Sequence, residues 1–283
     1  MKVSGFTIVK NALLYNYPIV EAIKSILPIC DEFIVNIGIS NDGTDKLIAS
    51  IKDPKIKVVY TLWDQSKGVE VLSEQTNFTL GLCQGDWAFY LQADEVIHEN
   101  DLPKLKRMMQ KYLRDDNVEA LRFEWLHFFG SFYRYRDDNG WYQKQDRIVK
   151  NNRQIRSIED AYTFQHISGR GLKSKKTGCF LYHYGWVLPE DVMQKRLVNH
   201  KDMGFKLQDN GSSAYNFGNL KRFPIYFGSH PKVMQERIQE HKLTQEDQGV
   251  VNSRYWWHPF RILNVGYKRH RGLIRREFQK NGR

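Results

Sequence analysis

From Val3 to Leu91, short apolar runs alternate with segments of helical spacing, and most of the runs stop on polar residues. Val3 to Val9 ends at Lys10-Asn11, Phe33 to Ile39 ends near Asn41-Asp42-Gly43, and Trp87 to Leu91 ends at Gln92-Ala93-Asp94-Glu95. Together with Ile56 to Leu62, these read as buried strands. Tyr17 to Leu27, Thr44 to Ile51 and Ser73 to Leu82 read as the helices between them. Alternation of this kind predicts right-handed crossover units on a parallel sheet, where ligands bind beyond the carboxyl ends of the strands. Asn11, Asp42 and Asp94 would then share one rim although they lie far apart in sequence. Taken singly each has a plainer reading, because Asn41-Asp42-Gly43 is an ordinary turn and Asp94-Glu95 suits a helix cap. Their joint placement points to a site.

The ligand class is narrowed by what is absent. No glycine-rich dinucleotide fingerprint follows the first strand and no phosphate-loop lysine motif occurs, so oxidoreductase and NTPase readings lose their usual support. Carboxylates at a strand end suit a divalent cation, and such a cation bridges the phosphates of a nucleoside diphosphate. The chain, 283 residues with 41% hydrophobic content, is large enough to bury one substantial core. Cys30, Cys83 and Cys179 are odd in number and far apart, which suits neither a disulfide framework nor a zinc cluster and fits a reducing, cytoplasmic setting. No apolar run approaches the roughly 18 residues of a membrane span, and the start lacks a long apolar signal core. The formal charge of +11 is concentrated at the end, where residues 261–283 hold eight Lys or Arg against the single acid Glu277. A solvated helix face or a peripheral contact with anionic lipid both account for that tail.

These residues resemble the family 2 glycosyltransferases, whose GT-A fold carries an aspartate-rich turn after the second strand and an Asp-x-Asp motif after the fourth. Val9-Lys10-Asn11 is similar to the family's first-strand end, Asn41-Asp42-Gly43-Thr44-Asp45 to its Asp-Asp-Gly-Ser-x-Asp turn, and Gly85-Asp86-Trp87 through Asp94-Glu95 to the strand delivering the metal ligand. The resemblance implies an α/β GT-A fold with a mostly parallel central sheet flanked by helices. It also implies a UDP-sugar donor and Mg2+ or Mn2+ as cofactor. The donor contacts it implies are Val9, Asn11, Asn41, Asp42, Lys67, Gln92, Ala93 and Asp94, with Asp42 at the nucleoside and Asp94 on the metal. Two positions depart from the pattern. Asn41 replaces a leading Asp, and Gln92 replaces the first acid of Asp-x-Asp with a neutral amide.

The second half resembles a bacterial subset of the same family through Trp125-Leu126-His127-Phe128-Phe129-Gly130-Ser131, Trp141-Tyr142, Arg147-Ile148-Val149, Asp160-Ala161 and His183-Tyr184-Gly185-Trp186. An inverting transferase needs a carboxylate opposite the leaving diphosphate to take the acceptor's proton. Asp160 is the candidate, with its neighbour Glu159 as the alternative, because sequence does not decide which of two adjacent carboxylates points inward. His183 precedes Gly185, where a flexible turn would carry its imidazole to the metal or diphosphate. His127, Trp141, Tyr142 and Trp186 suit a stacking platform for a sugar acceptor, and core packing explains the same four side chains.

Leu188-Pro189-Glu190 opens a helix that reads as a surface element running toward Gly211-Ser212-Ser213, and Lys232 to Lys242 reads as another. A catalytic domain over 1–243 and a basic, aromatic extension over 244–283 with Tyr255-Trp256-Trp257 are expected. The function expected is sugar transfer from a nucleoside diphosphate to a saccharide or glycolipid acceptor in surface polysaccharide synthesis. A non-catalytic GT-A relative, a nucleotidyltransferase and a nucleic-acid-binding protein are the alternatives. Nucleic acid is not an expected partner, because the charge sits in the tail and no recognition module is present.

Overall fold

The structure, a computed structural model, describes residues 1–137, 141–205 and 214–241. Its first ninety residues fold as the alternation requires, in the order β1 (Val3–Val9), α1 (Ile19–Ile26), β2 (Glu32–Gly38), α2 (Thr44–Ala49), β3 (Ile56–Thr61), α3 (Glu70–Leu82) and β4 (Trp87–Tyr90). There follow β5 (Glu95–Ile97), α4 (Leu102–Tyr112), β6 (Ala120–Phe129), β7 (Tyr135–Arg136), β8 (Lys144–Lys150), β9 (Ile155–Ile158), β10 (Thr163–His166), β11 (Ser174–Trp186), α5 (Glu190–Asp202) and α6 (Gln235–Glu240).

The main sheet runs β3-β2-β1-β4-β8-β6-β11-β5, with β7 added beside β6. β1, β2, β3, β4, β6 and β11 point one way, and β5, β7 and β8 the other. This is the mostly parallel, helix-flanked sheet that the resemblance implied. Strand order reverses between β1 and β4, the kind of switch point where a crevice opens beyond the strand ends. Asn11 follows one of these strands and Asp94 the other.

Strand period sorts the core into two faces. Val3, Val9, Trp87 and Phe89 pack with α1 and α4 through Ile19, Ile23, Ile26, Leu105 and Met109. Phe6, Ala88 and Tyr90 face the opposite way, onto Leu80 of α3 and Phe164 of the β9–β10 hairpin. In α1 the buried residues Ile19, Ala22, Ile23 and Ile26 fall on one helical stripe. α2 starts from Gly43, whose φ of +91° suits glycine, while the Asp42 carboxylate accepts from the Thr44 amide.

Several elements differ from expectation. Asp94-Glu95 does not cap a helix; Glu95 opens β5, which pairs antiparallel with β11. The segment from Lys232 is a 3-10 turn, Lys232–Met234, followed by α6. Lys242, Gly211-Ser212-Ser213, the boundary at 243 and the extension with Tyr255-Trp256-Trp257 lie outside the described residues. Among the described residues no helix is long and apolar enough to cross a membrane.

One buried ion pair joins the two halves of the sheet at the rim. Arg147 of β8 grips Glu95 through Nε to Oε2 at 2.8 Å and Nη2 to Oε1 at 2.9 Å, and both side chains are fully buried. The guanidinium also donates to the carbonyl oxygens of Tyr162 at 2.8 Å and Asp146 at 3.1 Å, and lies over the Tyr90 and Trp125 rings. Removing one member of a buried pair strands the other charge, at about 3–5 kcal/mol. Arg147→Met is therefore expected to lower Tm by more than about 6 °C, followed by circular dichroism. The double variant Arg147→Met/Glu95→Leu should recover part of the loss, and an unchanged Tm in the single variant would contradict this role.

Candidate active site

The ends of β1 and β2 are laced together by backbone amides. Asn11, at a φ of +53°, donates its amide to Ser40 Oγ at 3.0 Å, Ala12 to Thr44 Oγ1 at 2.7 Å, and Leu14 to Asp42 Oδ2 at 2.8 Å. Burial works against the Asp42 charge, but bonds from Thr44 and Leu14 outweigh it and hold its carboxyl below the usual range. Val9 is buried beneath this turn and Asn41 is exposed above it. Lys67 lies in the 3-10 turn before α3, exposed and paired with Glu74 at 2.7 Å.

Tyr15 carries the rim on toward β4. Burial raises the pKa of its hydroxyl while the neighbouring Asn11 side chain works against that, and the hydroxyl sits in the fields of Asp202, Asp42 and Arg196. Arg196, on α5, is buried, with its guanidinium 4.8 Å from the Tyr17 ring centroid. It donates through Nη2 to Asp94 Oδ2 at 2.9 Å and through Nη1 to the Gly185 carbonyl. The same Asp94 oxygen lies 3.5 Å from His183 Nε2. Burial would raise the Asp94 pKa, yet His183 and Arg196 together hold it well below the usual carboxylate value. The three polar groups share the space above Gly185. A Cβ there would overlap Asp94 Oδ2 and come within 2.9 Å of His183 Nε2 and 3.1 Å of Arg196 Nη1. Gly185 thus serves by close approach and not as a flexible turn, since it lies within β11.

Hydrogen-bond logic fixes the imidazoles. His127 Nε2 lies 2.8 Å from the Tyr142 carbonyl, which only accepts, so that nitrogen carries the proton. Burial and the neighbouring His183 push the His127 pKa down to about 2, so its Nδ1 keeps a lone pair. That lone pair accepts from His183 Nδ1 at 3.0 Å and turns His183 Nε2 toward Asp94. His127, buried with both nitrogens engaged, therefore orients His183. Trp125 stacks on His183 at 5.3 Å and 8°, Trp141 stands edge-on to His127 and Trp186, and Tyr142 stacks on Tyr162 at 4.8 Å. Trp141, Tyr142 and Trp186 retain exposed surface, and Trp186 also packs on Phe129 in a core cluster.

Asp160 sits on a strained loop beside these rings. Glu159 and Ala161 have φ of +51° and +61°, an arrangement costing about 1–3 kcal/mol per residue. Bonds from Gln92 Nε2 to the Ala161 carbonyl at 3.3 Å and from Arg147 to Tyr162 hold the loop. Glu159 is exposed, whereas Asp160 is half-buried and its buried Oδ1 has no hydrogen-bond partner. Burial, reinforced by Glu159, raises the Asp160 pKa against bonds from backbone amides. Burial and Asp160 also push the Tyr142 hydroxyl up to about 12. Trp125 Nε1, in the same ring cluster, is a second buried polar atom without a partner. Buried orphans of this kind are rare in folded proteins.

Asp94 Oδ2 and His183 Nε2 fit two positions of a divalent cation, since ligands at about 2.0–2.2 Å span a 3.5 Å gap. Among the described residues no group of three or more His, Cys, Asp or Glu gathers to hold a metal. Further ligands would have to come from phosphate and water. Arg196, Trp125 and Arg147 join this site although the sequence assigns them no role in it. α5 reads as a surface helix, and its inward Arg196 carries no local signal.

No protein-family model matches the chain, and no curated protein matches it in sequence. Among solved structures it is similar to S. aureus TarS, at 15% identity over 74% of this chain and 41% of that one, with a TM-score of 0.41. It is also similar to glucosyl-3-phosphoglycerate synthase from Mycobacterium tuberculosis in complex with Mn2+, uridine diphosphate and phosphoglyceric acid, at 21% identity over 44% of this chain and 43% of that one, with a TM-score of 0.33. The chain spans less than half the length of either.

Gly185→Ala is expected to cost about 1–3 kcal/mol in urea unfolding, because the new methyl would overlap the Asp94 carboxylate and crowd His183 Nε2 and Arg196 Nη1, so these side chains must shift out of their present contacts. Gly81→Ala, on α3 with nothing within 4 Å, should instead be stabilising by about 0.4–1 kcal/mol. Equal effects at the two positions would remove the argument for close packing above Gly185.

Proposed function

We propose that this chain is a glycosyltransferase that moves a sugar from a nucleoside diphosphate, UDP by the sequence resemblance, to a saccharide acceptor with inversion. The observation that carries the reading is the meeting of Asp94, His183 and Arg196 above Gly185 at the strand-end crevice, with Asp160 on a separate loop beside exposed rings. Asp94 and His183 would hold Mg2+ or Mn2+, which when bound supplies positive charge to the departing diphosphate. Arg196 adds a second positive group at the same end. Asn11, Asp42 and the turn between them form the nucleoside end. Trp141, Tyr142 and Trp186 offer their exposed ring surface to the acceptor.

The acceptor hydroxyl attacks the anomeric carbon while the bond from that carbon to the diphosphate oxygen breaks, and the hydroxyl proton passes to Asp160. Asp160 suits this task better than Glu159, because its inward oxygen has no internal partner. Synthesis of a surface polysaccharide or glycoconjugate is the process we assign.

Asp94→Ala should abolish transfer and cation dependence together, while Asp160→Asn should keep donor binding and lose transfer. A thermal-shift panel of UDP, GDP, CMP and dTDP with Mg2+ or Mn2+ measures the donor side, and a cation-dependent rise with one nucleotide is expected. No rise with any nucleotide would refute the proposal. The pH profile follows from the sign of the Asp160 shift. A base must be ionised, and burial raises its pKa, so kcat/KM should fall on the acid side along a limb lying above the ordinary aspartate value of about 3.9. Glu159→Gln should leave a working enzyme with that limb shifted slightly toward acid, since Glu159 reinforces the shift.

A further inference from the structure

We infer that Arg196 is a resident stand-in for the divalent cation, so that cation uptake requires its guanidinium to leave Asp94. The inference rests on the reading of Asp94 and His183 as the cation's ligands. Asp94 Oδ2 is the oxygen that Arg196 Nη2 holds at 2.9 Å, and it is also the one that His183 Nε2 faces at 3.5 Å. A cation bound by both ligands lies within about 2.2 Å of that oxygen. The guanidinium, the imidazole and the carboxylate already crowd the position above Gly185. Two cationic groups on one buried oxygen repel each other strongly where water is scarce.

Arg196 is placed there by a built set of contacts. Its Nη1 donates to the Gly185 carbonyl, its guanidinium lies over Tyr17 at 4.8 Å, and its Nε approaches His200 Nε2 at 3.4 Å. Burial, with Arg196 adding to it, pushes the His200 pKa down to about 3, so this imidazole stays neutral and accepts. The arrangement answers a physical need, since a buried carboxylate without a counter-charge is costly. Arg196 supplies that charge through its 2.9 Å contact with Asp94 Oδ2. Once a divalent cation takes over, the guanidinium is released at the phosphate end of the crevice, where a diphosphate is its natural partner. Cation and nucleoside diphosphate then bind as a coupled pair, and the cation alone binds poorly.

The test measures Mn2+ binding to nucleotide-free protein by calorimetry and by electron paramagnetic resonance of the free ion. Arg196→Gln should bind Mn2+ at least about tenfold more tightly than wild type, within the usual span of coupling between sites. Arg196→Lys, which keeps the charge, should stay near wild type, and Asp94→Asn added to Arg196→Gln should abolish the gain. Equal Mn2+ affinity in wild type and Arg196→Gln, both lost on Asp94→Asn, would overturn the stand-in role while leaving the cation site intact. No Mn2+ binding by any variant, with or without UDP, would overturn the cation reading and this inference with it. If near-UV circular dichroism shows Arg196→Gln to be unfolded, Tyr17→Leu replaces it. That variant removes the ring beneath the guanidinium and should also tighten Mn2+ binding, and unchanged affinity there overturns the inference.

Discussion

The buried pair of Arg147 and Glu95 is the constraint on which the rest of the rim depends. Two charges taken fully out of water are tolerable only when their donors and acceptors are used, and here nearly all are. Glu95 accepts twice from Arg147 and once from the Gln92 amide, which shapes the turn that presents Asp94. Arg147 donates both Nη1 hydrogens to the Tyr162 and Asp146 carbonyls. One guanidinium therefore positions both the strand end bearing Asp94 and the loop bearing Asp160. The left-handed backbone at Glu159 and Ala161 persists because these contacts over-determine it.

Strand period does the rest of the positioning. Along β11, His183 and Gly185 face Asp94 and Arg196, while Tyr182 and Tyr184 face the other way and pack with Phe128, Tyr226 and Met234. Register adds the third dimension, since His183 lies opposite Glu95 on β5 and opposite His127 on β6. A shift of one residue in either pairing would turn His183 into the apolar layer. The aromatic content that reads in sequence as either core or platform is both, because Trp186 packs on Phe129 while Trp141 and Tyr142 keep open surface.

How much of this was legible follows from the range of each interaction. The strands, their polar ends and the switch point were readable because alternation and turn residues are local signals. Asp42 was readable for the same reason, its turn chemistry being written within Asn41-Asp42-Gly43-Thr44. Which of Asp160 and Glu159 turns inward is not legible, because it depends on φ values held by Arg147 of β8 and by Gln92 in the turn after β4. Arg196 is not legible, since its partner lies 102 residues away and its own helix looks solvated in sequence. Gly185 was read as flexible, whereas its role comes from three side chains meeting above it. β5 is not legible because three residues are too few to show a period.

The two rim aspartates are charge-compensated in different ways, and the difference bears on how the crevice can work. Asp42 is satisfied by backbone amides and a threonine hydroxyl, groups that cannot leave without undoing the turn. Asp94 is satisfied by Arg196 and His183, whose side chains can exchange partners while the backbone stays in place. The Asp42 end is thus a fixed surface, and under the proposed reading it is the nucleoside end. The Asp94 end carries positive charge that can be redistributed, which under the same reading serves a leaving group developing negative charge. Under the proposed reading, rigidity and exchangeable charge are separated along a single row of strand ends, so substitutions at Asp42 and at Asp94 report on different steps even though both are carboxylates on the same rim.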